Sequence, residues 1–215
     1  MRLFLWRSFV RFSQWWRVRK MNAQELFKPF PQLETEKLLL REINHSDAKD
    51  LFTFLSDDEV METTDLTKHN TIRDSEKFII HLKKSCKKKK SIWWGITTQD
   101  RNVIVGIVGF PYWIKKQFRA EVGAVLSKGY WSQGIMTEAL DAIISFGFNA
   151  MELNRIEATL MLHNISSMKF LKKLGFQEEG ILRECRFFKG QFHDVKIVSL
   201  LKKDFLGFST GLPIT

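Results

Sequence analysis

The stretch Tyr130 to Leu140, YWSQGIMTEAL, places one central glycine just ahead of an apolar pattern with helical spacing. Gly134 permits close backbone approach and a left-handed conformation. The N–H groups of Gln133, Gly134, Ile135, Met136 and Thr137 include those that the first turn of a following helix leaves without carbonyl partners. Such donors, with the positive end of the helix dipole behind them, suit a phosphate or pyrophosphate. On spacing alone, the same residues read at least as well as an ordinary helix start. A second group, Asn164, Ser166 and Ser167, consists of helix-capping types. His163, beside them, reads as a structural or solvent-exposed histidine.

These residues need elements to position them. Lys37 to Ile43, KLLLREI, has strand character, and Ser46 and Asp47 are start residues for a helix over Ala48 to Leu55. A second helix is expected from Thr71, with Phe78, Ile79, Leu82 and Cys86 on one face before a lysine run closes it. Ile92 to Thr98 and Val103 to Tyr112 read as a hairpin around Gln99 to Asn102, and Arg119 to Leu126 as the strand that leads into the glycine turn. A helix over Thr137 to Met151 follows, with Ala139, Leu140, Ile143, Ile144 and Phe148 as its buried side. Arg155 to Leu162 is then a strand and Ser166 to Leu174 a short helix stopped by Gly175. Ile181 to Phe188 and Phe192 to Leu201 form a hairpin about Lys189, Gly190 and Gln191. The order βααβββαβαββ predicts an α/β fold, mixed α+β, with one sheet in one domain.

With 215 residues, 44% hydrophobic and 13% aromatic, the chain has ample material for a sizeable core. Its formal net charge of +10 is unevenly distributed. Residues 1–20 hold five arginines and one lysine with no acid, together with Trp6, Trp15 and Trp16. This basic aromatic extension reads as lying outside the domain, with Met21 as an alternative initiator. Membrane contact through residues 1–20 is the competing functional reading. The lysines of Lys83 to Lys90 read as a solvated helix end, favourable beside the negative pole of the dipole. No recognisable nucleic-acid module accompanies the positive charge, so no direct nucleic-acid binding is expected. Cys86 and Cys185 form neither a spaced pair nor a cluster with histidines, which predicts no disulfide framework, no zinc or other metal site, and a cytoplasmic setting. Residues 206–215, with Gly207, Gly211 and Pro213, read as a frayed tail.

AEVGAVL, YWSQGIMTEAL, LNRIEATLMLHNISS and FLKKLGF occur in this order and spacing, preceded by ETEKLLLRE and followed by EEGILRE. In this combination the chain resembles the GNAT superfamily of acyl-CoA-dependent N-acetyltransferases, and within it the ribosomal-protein N-terminal alanine/serine acetyltransferase group. The resemblance covers residues 33–205. It implies a single GNAT-like domain with a central twisted mixed sheet, flanked by helices and opened by a splayed, cofactor-binding strand pair. Acetyl-CoA is the implied acetyl donor. Its pantetheine arm would run beside Ala124, Val125 and Leu126, and its pyrophosphate would sit on the turn from Gln133 to Thr137. The family's marked turn positions are occupied here by Trp131, Gly134 and Met136, with Ser132 replacing a common glycine. Asn164 and Ser167 match the family's N-x-x-S element, which implies a hydrogen bond from Asn164 to the pantetheine region and Ser167 near the thioester sulfur.

The reaction requires a neutral amine held against a thioester carbonyl and a proton source for the departing thiolate. A protein α-amine titrates at about 8, so a base has less to do for it than for a lysine or polyamine at about 10. Glu121 is the first candidate base, acting through water; as a surface strand residue it would instead pair with Arg119 or Lys128. Some related enzymes carry a glutamate where this chain has Thr159, and many carry a tyrosine acid where it has Leu171. Glu184 and Glu157 are the candidate substitute carboxylates, and Ser167 a relay to the thiolate. Trp93, Trp94, Phe110, Tyr112 and Trp113 divide between cleft lining and sheet core. The resemblance thus implies an amine acceptor, with a ribosomal protein N-terminus first and a small amine, polyamine or antibiotic second. An acidic cleft would favour a cationic acceptor. A non-catalytic acyl-CoA-binding regulatory module is the alternative of another class. The protein is expected to be a monomer or homodimer.

Overall fold

The computed structural model describes residues 27–62, 64–100 and 102–205. The readings made for residues 1–20, Met21 and residues 206–215 lie outside these. Eight strands form one sheet: β1 (Leu33–Glu34), β2 (Leu38–Arg41), β3 (Ile92–Thr98), β4 (Gly106–Ile114), β5 (Arg119–Leu126), β6 (Arg155–Met161), β7 (Gln177–Phe188) and β8 (Gln191–Leu201). Their spatial order is β1-β2-β3-β4-β5-β6-β8-β7. Every neighbouring pair is antiparallel except β5 and β6, which run parallel. Among the described residues five α-helices complete the fold, with short 3-10 turns between elements: α1 (Ala48–Leu55), α2 (Asp58–Glu62), α3 (Ile72–Lys87), α4 (Ile135–Asn149) and α5 (Ile165–Lys173).

Strand alternation divides the apolar residues between two faces. Ile92, Trp94, Ile96, Val108 and Leu126 pack with α4 and α5, whereas Ile107 and Val125 pack with α1, α2 and α3. α4 carries the centre of the first face: Ala139, Leu140, Ile143, Ile144 and Phe148 are all buried, as their spacing predicts. This helix starts earlier than expected. Gly134 adopts φ 79°, and the turn enters the helix directly at Ile135.

Local chemistry explains the other boundaries. Thr71 caps α3 in a reciprocal box with Asp74, and Lys89 at φ 54° takes the chain out of it. β4 begins at Gly106 rather than Val103, because the Ile104 N–H is taken at 2.9 Å by the Asp50 carboxylate of α1 and cannot join the ladder. The final hairpin turns on Lys189 and Gly190, with φ 50° and 80°. Those two left-handed residues match the twist of the flanking strands. α2 and the two-residue β1 have too little periodicity to be read from sequence.

Candidate active site

β5 and β6 pair only at Arg119↔Arg155, Ala120↔Ile156 and Glu121↔Glu157. Beyond Glu121 they part, and among the described residues no strand takes up that edge of β5. The separation has a local cause. β4 carries a bulge between Gly109 and Tyr112, opposite the stretch of β5 from Glu121 to Gly123, and a bulge bends and twists the strand that holds it. Pro111, which has no N–H for a ladder, lies inside that bulge.

The resulting gap is a cavity of about 500 Å³. Val122 to Leu126 form one wall and Ala158 to Met161 the other. Trp131, Ser132 and Met136 close it at the glycine turn, and Asn164, Ser167 and Leu171 at α5. Ala124, Val125, Leu126, Met136, Asn164 and Ser167 are therefore brought together around one space. Gln133, Gly134, Ile135 and Thr137 belong to the adjoining turn, but their side chains are not in the wall: Ile135 points into the core, and the other three residues are exposed. What the turn offers is backbone. The Glu138 N–H is the first to bond back along the helix, to the Gly134 carbonyl at 3.1 Å, which leaves those of Ile135 to Thr137 without helical acceptors. The Trp131 indole donates to the Leu126 carbonyl at 2.8 Å and fixes the turn to the end of β5. A Cβ on Gly134 would meet nothing within 4 Å, so the approach to these amides is open.

Asn164 also caps α5. Its Oδ1 accepts from the Ser167 N–H at 3.0 Å and from the Ser166 hydroxyl at 3.1 Å. The amide is thus held in place at the cavity wall by the helix start itself.

At the other end, Glu121 does not pair with Arg119 or Lys128. Arg119 is bound to Glu157 and Lys128 to Glu59. Glu121 Oε1 instead accepts from the Thr159 hydroxyl at 2.5 Å and from Arg186 Nη2 at 2.7 Å, and Arg186 Nη2 also reaches Thr159 Oγ1 at 2.9 Å. Arg186 Nε lies 3.7 Å from Asp65 Oδ2, with the Tyr112 ring nearby at 5.8 Å. Burial works against the Arg186 charge, but Glu121, Asp65 and Tyr112 outweigh it and hold its pKa above the ordinary guanidinium value.

Arg186 is the site residue that sequence reasoning missed, and Glu184 is the one it misplaced. Between Leu182 and Arg186 the β7–β8 register slips. Glu184, at φ 48°, is exposed, and its N–H binds Asp194 Oδ1 at 2.8 Å, so its carboxylate is not in the cavity wall. The bulge aims Arg186 inward in its place. Glu157 is likewise engaged elsewhere, by Arg119 and Arg155. Of the five aromatic residues, Trp93 and Tyr112 line the cavity, while Trp94, Phe110 and Trp113 belong to the core; alternation separates Trp93 from Trp94, and the β4 bulge puts Phe110 and Trp113 on one face and Tyr112 on the other. Among the described residues no group of three or more His, Cys, Asp or Glu is placed to hold a metal ion, and no helix is long and apolar enough to cross a membrane.

The same architecture is found in known proteins. YoaA of Bacillus subtilis, an uncharacterized N-acetyltransferase, is 34% identical over 173 residues, covering 80% of this chain and 98% of its own. The [ribosomal protein uS5]-alanine N-acetyltransferase of Escherichia coli is 29% identical over 119 residues, 55% of this chain and 61% of its own. The microcin C7 self-immunity acetyltransferase MccE, solved with acetyl-CoA and AMP, shares the fold at a TM-score of 0.71 and 21% identity, over 77% of this chain and 93% of its own. The Acetyltransferase (GNAT) domain family matches residues 37–177, which span the parted strands, the glycine turn and the α5 cap, and the chain accordingly belongs to the GNAT family of N-acetyltransferases.

Proposed function

We propose that the protein transfers an acetyl group from acetyl-CoA to the α-amine of a protein N-terminus, with a ribosomal protein as the acceptor. The observation that carries this reading is the gap between β5 and β6, which joins an open strand edge to the unpaired amides of the α4 turn. These features offer what the donor needs: an edge for an extended amide-bearing arm, and N–H groups for phosphate. Acetyl-CoA supplies an activated acyl thioester. Val122 to Leu126 align the donor along the edge, and Asn164, already fixed by the α5 cap, adds a polar contact. The mainly apolar wall excludes water from the site.

Glu121 accepts the proton that the acceptor amine gives up, directly or through one water. Its Oε1 is occupied by Thr159 and Arg186, which leaves Oε2 for this task. Ser167 donates a hydrogen bond to the departing thiolate, since Leu171 stands where a phenol would otherwise serve. The E. coli relative's acceptor, a ribosomal-protein alanine, supports the choice of an α-amine. A cytoplasmic setting is part of the reading, consistent with two free cysteines, Cys86 and Cys185.

The test is thiol release from acetyl-CoA with N-terminal peptides and polyamines, preceded by calorimetric titration of acetyl-CoA. Binding with peptide-dependent release supports the proposal. Binding without release by any amine would indicate a regulatory module, and no binding would remove the donor assignment.

A further inference from the structure

Two cavities lie on either side of one indole. The cleft between β5 and β6 is the first, and a second of about 590 Å³ is walled by Phe27, Phe30, Leu82 and Cys86. Among the described residues, Trp93 is the only one that borders both. Trp93 on β3 is in register with Gly109 on β4, and Gly109 with Gly123 on β5. Glycine inside a strand marks a close approach, and here the indole lies across both glycines. A Cβ on Gly109 would meet Trp93 Cδ2 at 2.9 Å, and one on Gly123 would meet Trp93 Cη2 at 3.0 Å. The six-membered end of the ring therefore arrives over Gly123, with Pro111 beside the same spot.

Alternation along β5 puts Gly123 on the same face as Glu121 and Val125, the face that packs with α1, α2 and α3. The α4 turn lies at the Leu126 end of β5, so a donor anchored there brings its thioester toward Glu121. Gly123 is two residues, about 7 Å, along the strand from Glu121. An amine within hydrogen-bond reach of Glu121, directly or through one water, carries its α-carbon substituent into the space bounded by Leu66, Pro111, Tyr112 and the Trp93 indole. We infer that Trp93 is a specificity-determining residue: its indole closes this space and sets the upper size limit on the first side chain of the acceptor, admitting alanine or serine and turning away leucine or phenylalanine. The second cavity lies directly behind the ring, so the limit is made by one side chain rather than by the bulk of the core. The inference rests on acetyl transfer to a protein N-terminus and assigns a residue to the choice of acceptor.

The experiment measures kcat/KM of the full chain with peptides that differ only in their first residue, Ala, Ser, Leu or Phe, and repeats the Ala peptide with butyryl-CoA in place of acetyl-CoA. The wild type should favour the Ala and Ser peptides. Trp93→Ala opens the cleft into the second cavity and should move the Ala-to-Leu ratio toward Leu by on the order of tenfold, with a smaller change in the acetyl-to-butyryl ratio. Gly123→Ala, whose Cβ intrudes beside the indole, should move the Ala-to-Leu ratio the other way. Trp93→Phe keeps an aromatic ring in the strand and should give a smaller shift toward Leu, so it carries the test even if Trp93→Ala does not fold. Ratios cancel any loss common to all peptides, such as weaker donor binding. The inference would be overturned by a wild type indifferent to the size of the first residue, by equal losses on all peptides in the Trp93 variants, or by shifts of the same sign in the Trp93 and Gly123 variants. A larger shift in the acetyl-to-butyryl ratio than in the Ala-to-Leu ratio would also overturn it, by assigning the space to the acyl group. Absence of thiol release with every peptide would instead remove the acetyl-transfer reading.

Discussion

The Thr159 hydroxyl donates to Glu121 Oε1 at 2.5 Å, at the level where β5 and β6 cease to pair. Glu121 is the last β5 residue in the parallel ladder, and Thr159 lies two residues beyond its β6 partner Glu157. The hydrogen bond therefore spans the opening of the cleft and fixes one carboxylate oxygen while leaving its twin available. A charge-assisted bond of this kind is stronger than a neutral one.

Loss of that bond should be felt in catalysis more than in folding. Thr159→Val is expected to lower kcat/KM about fivefold, corresponding to roughly 1 kcal/mol for one hydrogen bond. Its thermal midpoint should stay near wild type, because the residue is half-buried at the edge of the cavity. Steady-state kinetics beside a thermal melt would check both.

Glu121→Gln tests the base directly. At neutral pH we expect kcat/KM to fall roughly tenfold to hundredfold with α-amine acceptors, toward the lower end of general-base effects because the amine itself loses its proton readily. Calorimetry should show unchanged acetyl-CoA affinity. Unchanged turnover would exclude Glu121 as the base.

Gly134→Ala places a side chain at φ 79° where there is room for the Cβ but not conformational comfort. The strain of a left-handed non-glycine residue costs about 1–2 kcal/mol, or a fall of roughly 2–8 °C in melting temperature for a chain of this size. KM for acetyl-CoA should rise, since any relaxation of the turn moves the α4 amides. Gly109→Ala should be far worse for folding: its Cβ would lie 2.2 Å from the Ile92 carbonyl oxygen, inside the central strands. We expect a loss of about 3 kcal/mol or more, seen in denaturant unfolding.

Acid should weaken the pairing of β6 with the β7–β8 hairpin. Arg155 donates to Glu179 at 2.7 and 2.5 Å, and Ser199 adds a third bond at 2.7 Å. The Arg155 guanidinium and the Ser199 hydroxyl hold the Glu179 carboxyl at about 2, below its ordinary 4.5. Because the folded value is depressed, the stabilisation is complete above about 4.5 and is lost as pH falls toward 2. Solvent reaches this pair, so its contribution is modest, up to about 1 kcal/mol. The difference in melting temperature between wild type and Glu179→Gln should be present at pH 7 and close progressively below pH 4.5.

Much of the architecture was legible because it is written in local periodicity. The run Arg119 to Leu126, read as a strand, matches β5 residue for residue, and the helical spacing after Gly134 matches the buried side of α4. Gly134 itself, the Asn164 cap and the Lys189–Gly190 turn follow from the backbone conformations that only certain residue types favour. Such features depend on neighbours a few positions away, and sequence alone determined them.

Tertiary structure decided which charged groups meet. Glu184 and Arg186 are two residues apart and, in a regular strand, would share a face. The slip between Leu182 and Arg186 breaks that relation and sends only Arg186 into the cleft. A bulge is defined by the partner strand it mismatches, so no period within β7 reveals it. The parting of β5 from β6 is likewise a property of two strands joined by a helix and of the bend in a third. Sequence determined the strand, the turn and the capped helix that frame the cavity; only the register between distant strands set Glu121, Thr159 and Arg186 against one another.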